Sequence, residues 1–163
     1  MELAFAFEHK AAKMAMAEAV RLDPACVMCA WGNAWVNGPT INYNIEGDDL
    51  ATAQKLAGKA DALARRKGTS FEREMTRAIV ARYKRGGGWG QKGDQAFESA
   101  MARIAAENPA NDSLQVIAAD AVLNAAGDLD HVHGRANDAV AALGRIEQCG
   151  DFAHRRVGGK VER

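Results

Sequence analysis

The chain has 163 residues, of which 48% are apolar and 6% aromatic, and its 21 basic residues are balanced by 21 acidic ones. A balanced charge gives no electrostatic basis for binding nucleic acid or an anionic membrane, and no apolar run is long enough to span a bilayer. Few aromatic residues and abundant alanine disfavour strands and suit closely packed helices. We therefore expect an all-α protein.

The first predicted helix runs from about Leu3 to Leu22, where apolar residues recur at helical spacing. The next two residues predict a boundary between helices. We expect Asp23 to cap the second helix and Pro24 to occupy its first position, where the missing N–H of proline costs nothing. Gly38 and Pro39 then predict the end of this second helix.

The remaining helices are indicated by residues that start and stop helices. A third is predicted from about Asp48 to Lys67, with Gly68 as its C-terminal cap. Thr69 and Glu72 have the spacing of a capping box, which predicts the start of a fourth. Three more are predicted from about Asp94 to Glu107, from Asp112 to Ala126 and from Arg135 to Gln148.

Small residues recur within these helices at the spacing of helical repeats, at Ala12 and Ala19 and again at Ala53, Ala57 and Ala60. In this pattern the chain resembles the tetratricopeptide repeat superfamily. More narrowly, residues 21–32, followed by Gly-Pro-Thr-Ile-Asn at 38–42, resemble a bacterial subfamily with an LDPxCAMCxWG…GPNIN stretch. The resemblance covers roughly residues 5–126.

The resemblance implies a tetratricopeptide-like α-α superhelix of antiparallel helix hairpins, with about seven helices. On this basis we expect one helical-repeat domain over residues 1–148 and a basic, flexible tail over residues 149–163. The subfamily suggests no biochemical activity. It points weakly to export to the bacterial periplasm, although the N-terminus has no signal-like segment, so the compartment stays open.

Two asparagines of the second predicted helix, Asn33 and Asn37, suggest a binding surface. If Gly32 is the small packing residue of a repeat, both face the concave side of the stack, which is where such repeats hold peptides. Asparagine amides can bond both backbone groups of an extended peptide. The alternative is that each is an ordinary surface residue. The same spacing adds four residues to the predicted peptide-binding groove: Arg82, Tyr83, Asp120 and Asn124.

The pair Cys26 and Cys29 suggests a second kind of chemistry. Amide groups at a helix start lower the pKa of a thiol, and a Cys-x-x-Cys in that place is typical of dithiol exchange. The same pair supplies half of a zinc site. A further reading is plain packing or a structural disulfide. Since the chain has three cysteines, a pure disulfide framework is disfavoured.

These patterns favour a protein- or peptide-binding or scaffolding module. We expect no enzyme activity and no cofactor, because no catalytic triad or carboxylate pair stands in a context that would position it. The alternative is a thiol-redox or metal-binding protein centred on Cys26 and Cys29. A third interpretation is a structural subunit that forms a homo-oligomer through its first helix, which lacks a hairpin partner in the sequence.

Overall fold

A computed structural model describes residues 2–6, 8–84 and 92–126 of the chain. These residues form seven α-helices and no strand, which confirms the predicted all-α class. The predicted helix from Arg135 to Gln148, the tail after it and Cys149 lie outside the described residues. The helices are α1 (Glu2–Phe5), α2 (His9–Leu22), α3 (Val27–Val36), α4 (Gly47–Lys67), α5 (Ser70–Lys84), α6 (Lys92–Glu107) and α7 (Asp112–Ala126).

Local capping explains why most predicted helix ends are correct. In the predicted capping box, the Glu72 carboxylate accepts from the Thr69 N–H at 2.8 Å, and the Thr69 hydroxyl accepts from the Glu72 N–H at 3.2 Å. Gly68 ends α4, and its N–H donates to the carbonyl of Ala64 at 2.8 Å. Both devices use groups only a few residues apart, so the sequence alone is enough to find them.

Two predicted boundaries near the N-terminus were wrong. The first predicted helix is divided into α1 and α2 between Phe5 and His9, with no proline or glycine to mark the break. Asp23 does not cap α3 either. Its carboxylate accepts from the N–H of Ala25 in a local turn, and Cys26 takes the capping position. An aspartate readily forms such a turn with the residue two positions on, and this moved the start of α3 beyond Pro24.

Each helix from α1 to α7 packs against the next one in the chain, and α3 also contacts α5. Small side chains make the close approach between α4 and its neighbours feasible: Ala53, Ala57, Ala60 and Ala64 are all at most 1% exposed. Across this layer, the indole N–H of Trp31 donates to the carbonyl of Met75 at 2.9 Å. This bond joins α3 directly to α5.

The loop between α3 and α4 completes the part of the fold that bears on function. Gly38 and Pro39 are buried, and the chain then turns back on itself, with the N–H of Thr40 donating to the carbonyl of Tyr43 at 2.9 Å. Ile45 is 3% exposed and joins the main apolar core. The loop is therefore part of the packed structure, and it lies beside the C-terminal end of α5.

Candidate functional site

A buried polar cluster lies where α5, α6 and α7 meet, and we define it as Arg82, Tyr83, Asp94 and Asp120. The Arg82 guanidinium donates to Asp94 at 2.6 Å, and the two side chains are 0% and 1% exposed. A second donor of Arg82 reaches the carbonyl of Pro39 at 3.4 Å. Arg82 therefore ties α5 to α6 and to the loop after α3.

Two aromatic rings lie near the same guanidinium, with ring centres at 4.8 Å for Phe97 and 5.9 Å for Tyr83. The Tyr83 hydroxyl donates to the carbonyl of Ala34 at 3.0 Å. Burial raises the pKa of Tyr83 to about 12. For Arg82, burial acts to lower the pKa, but attraction from Tyr83, Asp94 and Asp120 outweighs burial and holds the pKa above its ordinary value. Arg82 therefore stays charged in the core.

Asp120 extends this cluster towards solvent. Its side chain is half-buried on α7 and faces an adjoining cavity. Burial raises the pKa of Asp120 to about 6, although the charge of Arg82 and a hydrogen bond from Asn124 act in the opposite direction. A carboxyl group with a pKa near neutrality, in an apolar cavity, is a common feature of binding and catalytic sites.

The cavity has a volume of about 200 Å³ and is partly open. Its walls come from both ends of the described chain: α1, α2 and α3 with the loop after it on one side, and α7 on the other. The walls are mainly apolar, with Asp120, His9 and Thr40 as the polar exceptions. The apolar lining residues are Ala4, Phe5, Trp35, Val36, Pro39, Ile41, Val116, Ala119 and Leu123.

Aromatic packing gives the cavity a firm wall. The rings of Phe5 and Trp35 meet edge to face with centres 5.8 Å apart, and Trp35 stacks on Trp31 at 6.1 Å. Trp31 is itself only 1% exposed and is held by its bond to Met75. The wall is thus anchored in the core before any ligand arrives, which lowers the cost of ordering it on binding.

The structure does not bring the predicted groove residues together on one surface. Arg82, Tyr83 and Asn124 are each at most 1% exposed, so they lie beneath the surface and do not offer their side chains to a peptide. Only Asp120 lines the cavity. The prediction took helical spacing to indicate exposure, and it missed Asp94, whose charge permits Arg82 to be buried.

The two asparagines predicted for the groove, Asn33 and Asn37, are both half-buried at the C-terminal end of α3. Asn37 follows the last turn of the helix, and its amide donates to the backbone carbonyl of Asn33 at 2.8 Å and to the Asn33 side chain at 3.3 Å. Neither residue lines the cavity. The apolar cavity residues were missed in turn, because Val36, Val116 and Leu123 carry no sequence signal that separates them from core residues.

Cys26 and Cys29 form a disulfide bond at the start of α3. Both residues are partly exposed, and the Cys26 sulfur accepts from the N–H of Cys29 at 3.0 Å. In this state neither sulfur is a thiolate, which is the form that binds a metal. No group of three potential metal-binding side chains gathers within the described residues.

Within the same ranges, no helix is both long and apolar enough to cross a membrane. Comparison of the chain with protein-family models, with curated proteins and with solved structures finds no match.

Proposed function

We propose that this chain is a tetratricopeptide-like module that binds a protein or peptide partner and has no catalytic role. The observation that carries the proposal is the cavity between α1, α3 and α7, with its anchored aromatic wall and its single carboxylate. An apolar pocket with few, convergent polar groups is the usual form of a ligand site. Sequential packing of neighbouring helices supports the repeat-like arrangement.

The size of the cavity favours one anchoring side chain over a long groove. A cavity of roughly 150 Å³ is known to hold a benzene ring, so about 200 Å³ accommodates a leucine or a phenylalanine side chain. One buried apolar anchor, surrounded by contacts that exclude water, often supplies most of the affinity of an interface. We therefore propose that the partner inserts a single apolar residue here.

Filling the cavity tests this proposal. The variant Val116→Phe, on α7, places a ring in the cavity and should block binding. The control is Val20→Phe, the same change at a half-buried valine of α2 that does not line the cavity. A displayed library of random linear peptides, selected on the unmodified chain, should yield sequences that share an apolar residue and bind Val20→Phe normally.

On Val116→Phe the same peptides should lose affinity by roughly tenfold or more, as expected when one apolar anchor is lost. Circular dichroism and melting curves must show that both variants are folded. Equal binding to Val116→Phe and to the unmodified chain would place the site elsewhere. A selection that enriches no peptide would remove the proposal.

The disulfide favours a second candidate function, thiol–disulfide exchange. A partner dithiol would give up two electrons and two protons, becoming a disulfide, while Cys26 and Cys29 become thiols. The N–H of Cys29, which points at the Cys26 sulfur, would stabilise a thiolate there and so assist the reaction.

Equilibration with glutathione buffers, followed by mass-tagged alkylation, measures the reduction potential of the pair. A potential above about −270 mV would support exchange, whereas one below about −300 mV is typical of a structural disulfide and would remove this candidate.

A further inference from the structure

Asp120 forms no ion pair within the part of the chain that the structure describes. Among the described residues, Arg82 is the cation that acts on Asp120, and Arg82 is already paired with Asp94 at 2.6 Å. When Asp120 is ionised, its negative charge lies at the wall of an apolar cavity, where a charge is costly until a partner of opposite sign is bound.

The position of Asp120 limits what that partner can be. The cation has to enter the cavity along with an apolar group, because the walls around the carboxylate are side chains such as Val116 and Leu123. The rings of Phe5 and Trp35 also line the cavity. An anionic ligand would meet the negative charge of Asp120 among apolar walls, where repulsion is stronger than in bulk water.

We propose that the cavity binds the N-terminal residue of a partner polypeptide, with its α-ammonium group at Asp120 and its apolar side chain among the apolar walls. This inference rests on the proposed function and names its ligand. In a polypeptide, the N-terminal residue is the place where a cation and an apolar side chain are attached to the same carbon atom. The cavity volume suits one such residue.

Binding should depend on pH in a way that reflects both partners. The pKa of Asp120 is about 6, and that of a peptide amine is roughly 8, so both charges are present together between these values. Of the residues that the structure describes, the other titratable groups near Asp120 are Arg82, Tyr83 and Asp94 in the cluster, and His9 lines the cavity from α2. Affinity should fall below pH 6 as Asp120 is protonated, and above pH 8 as the amine loses its proton.

Four short peptide amides test the inference by calorimetry at pH 7. The first is Phe-Ala-Ala-Ala with a free amine, and the second is the same peptide with an acetylated N-terminus. The third is acetyl-Ala-Phe-Ala-Ala, and the fourth, acetyl-Ala-Lys-Phe-Ala, carries its cation on an internal lysine. The free amine should bind about tenfold more tightly than any acetylated peptide, as expected for a charge-assisted hydrogen bond.

The variant Asp120→Asn keeps the shape of the side chain and removes its charge, so the preference for the free amine should shrink to within about twofold. Asp112→Asn, an exposed position on the same helix, should retain the full preference. Equal binding of free and acetylated peptides, equal binding of the lysine peptide, or a preference that survives in Asp120→Asn would each overturn the inference.

None of those results would exclude peptide binding in the cavity, because the peptide selection with Val116→Phe tests that separately. Should none of the four peptides bind the unmodified chain, the N-terminal ligand is wrong, and the library result still shows whether the cavity holds another peptide.

Discussion

At the residue scale, folding opposes the ionisation of the Asp120 carboxyl group. Its native pKa of about 6 lies above the value near 3.9 that an unfolded chain gives it. A raised native pKa means that the folded state binds the proton more tightly. The resulting stability is fully present below about pH 4 and is lost as pH rises through 6. The ionised carboxylate of Asp120 thus weakens the fold at neutral pH.

Removing this charge should stabilise the protein. In Asp120→Asn we expect the free energy of unfolding at pH 7.5 to rise by about 1–3 kcal/mol, from a shift of roughly two pH units at 1.36 kcal/mol each. The decline in stability between pH 4 and pH 6 should become shallower. Urea denaturation at several pH values measures both, and an unchanged pH profile would show that Asp120 titrates normally.

At the element scale, α4 shows how small side chains set helix spacing. The side of α4 that packs against α3 and α5 presents alanine at four successive turns, and each is at most 1% exposed. Such a helix contributes little apolar area of its own. Its small side chains let the neighbouring helices pack close together, and Trp31 of α3 therefore reaches the backbone of α5 at Met75.

Enlarging one of these alanines should force the helices apart. We expect Ala60→Leu to lower the free energy of unfolding by about 1–3 kcal/mol, the usual cost of overpacking a core. Ala62→Leu, on the exposed side of the same helix, should change it little, since leucine and alanine have similar helix propensities. Equal urea midpoints for the two variants would contradict close packing at Ala60.

At the scale of the whole molecule, Gly38 lies where the N-terminal and C-terminal helices are joined. A Cβ atom there would collide with the hydroxyl of Tyr83 and would come within 3.3 Å of the Arg82 guanidinium. The Tyr83 hydroxyl bonds Ala34 on α3, and Arg82 bonds Asp94 on α6. The absence of a side chain at one position therefore allows α3, α5 and α6 to meet beside the cavity.

Adding a methyl group should break this junction. We expect Gly38→Ala to destabilise the chain by about 2 kcal/mol or more, because Tyr83 must leave its acceptor and a buried polar group is then unsatisfied. Gly58→Ala adds the same methyl group within α4 in open space and should stabilise by about 0.5–1 kcal/mol. Melting curves that move in the same direction for both variants would contradict this role.

The candidate site was predictable only in part. Asp120 was assigned to a binding surface and does line the cavity, but Arg82 and Tyr83 were assigned with it and lie in the core. Helical spacing identifies which residues share a side of a helix. It does not tell whether that side faces solvent or another helix, since this depends on elements elsewhere in the chain.

The sequence by itself determined the helical class and most helix ends, because caps such as Thr69 with Glu72 act between residues three apart. Tertiary structure alone decided the site. The burial of Arg82 requires Asp94 from α6 and the carbonyl of Pro39, and the cavity requires Phe5 from α1 to face α7. Such contacts join residues far apart in the chain, and their energies depend on packing that no local pattern encodes.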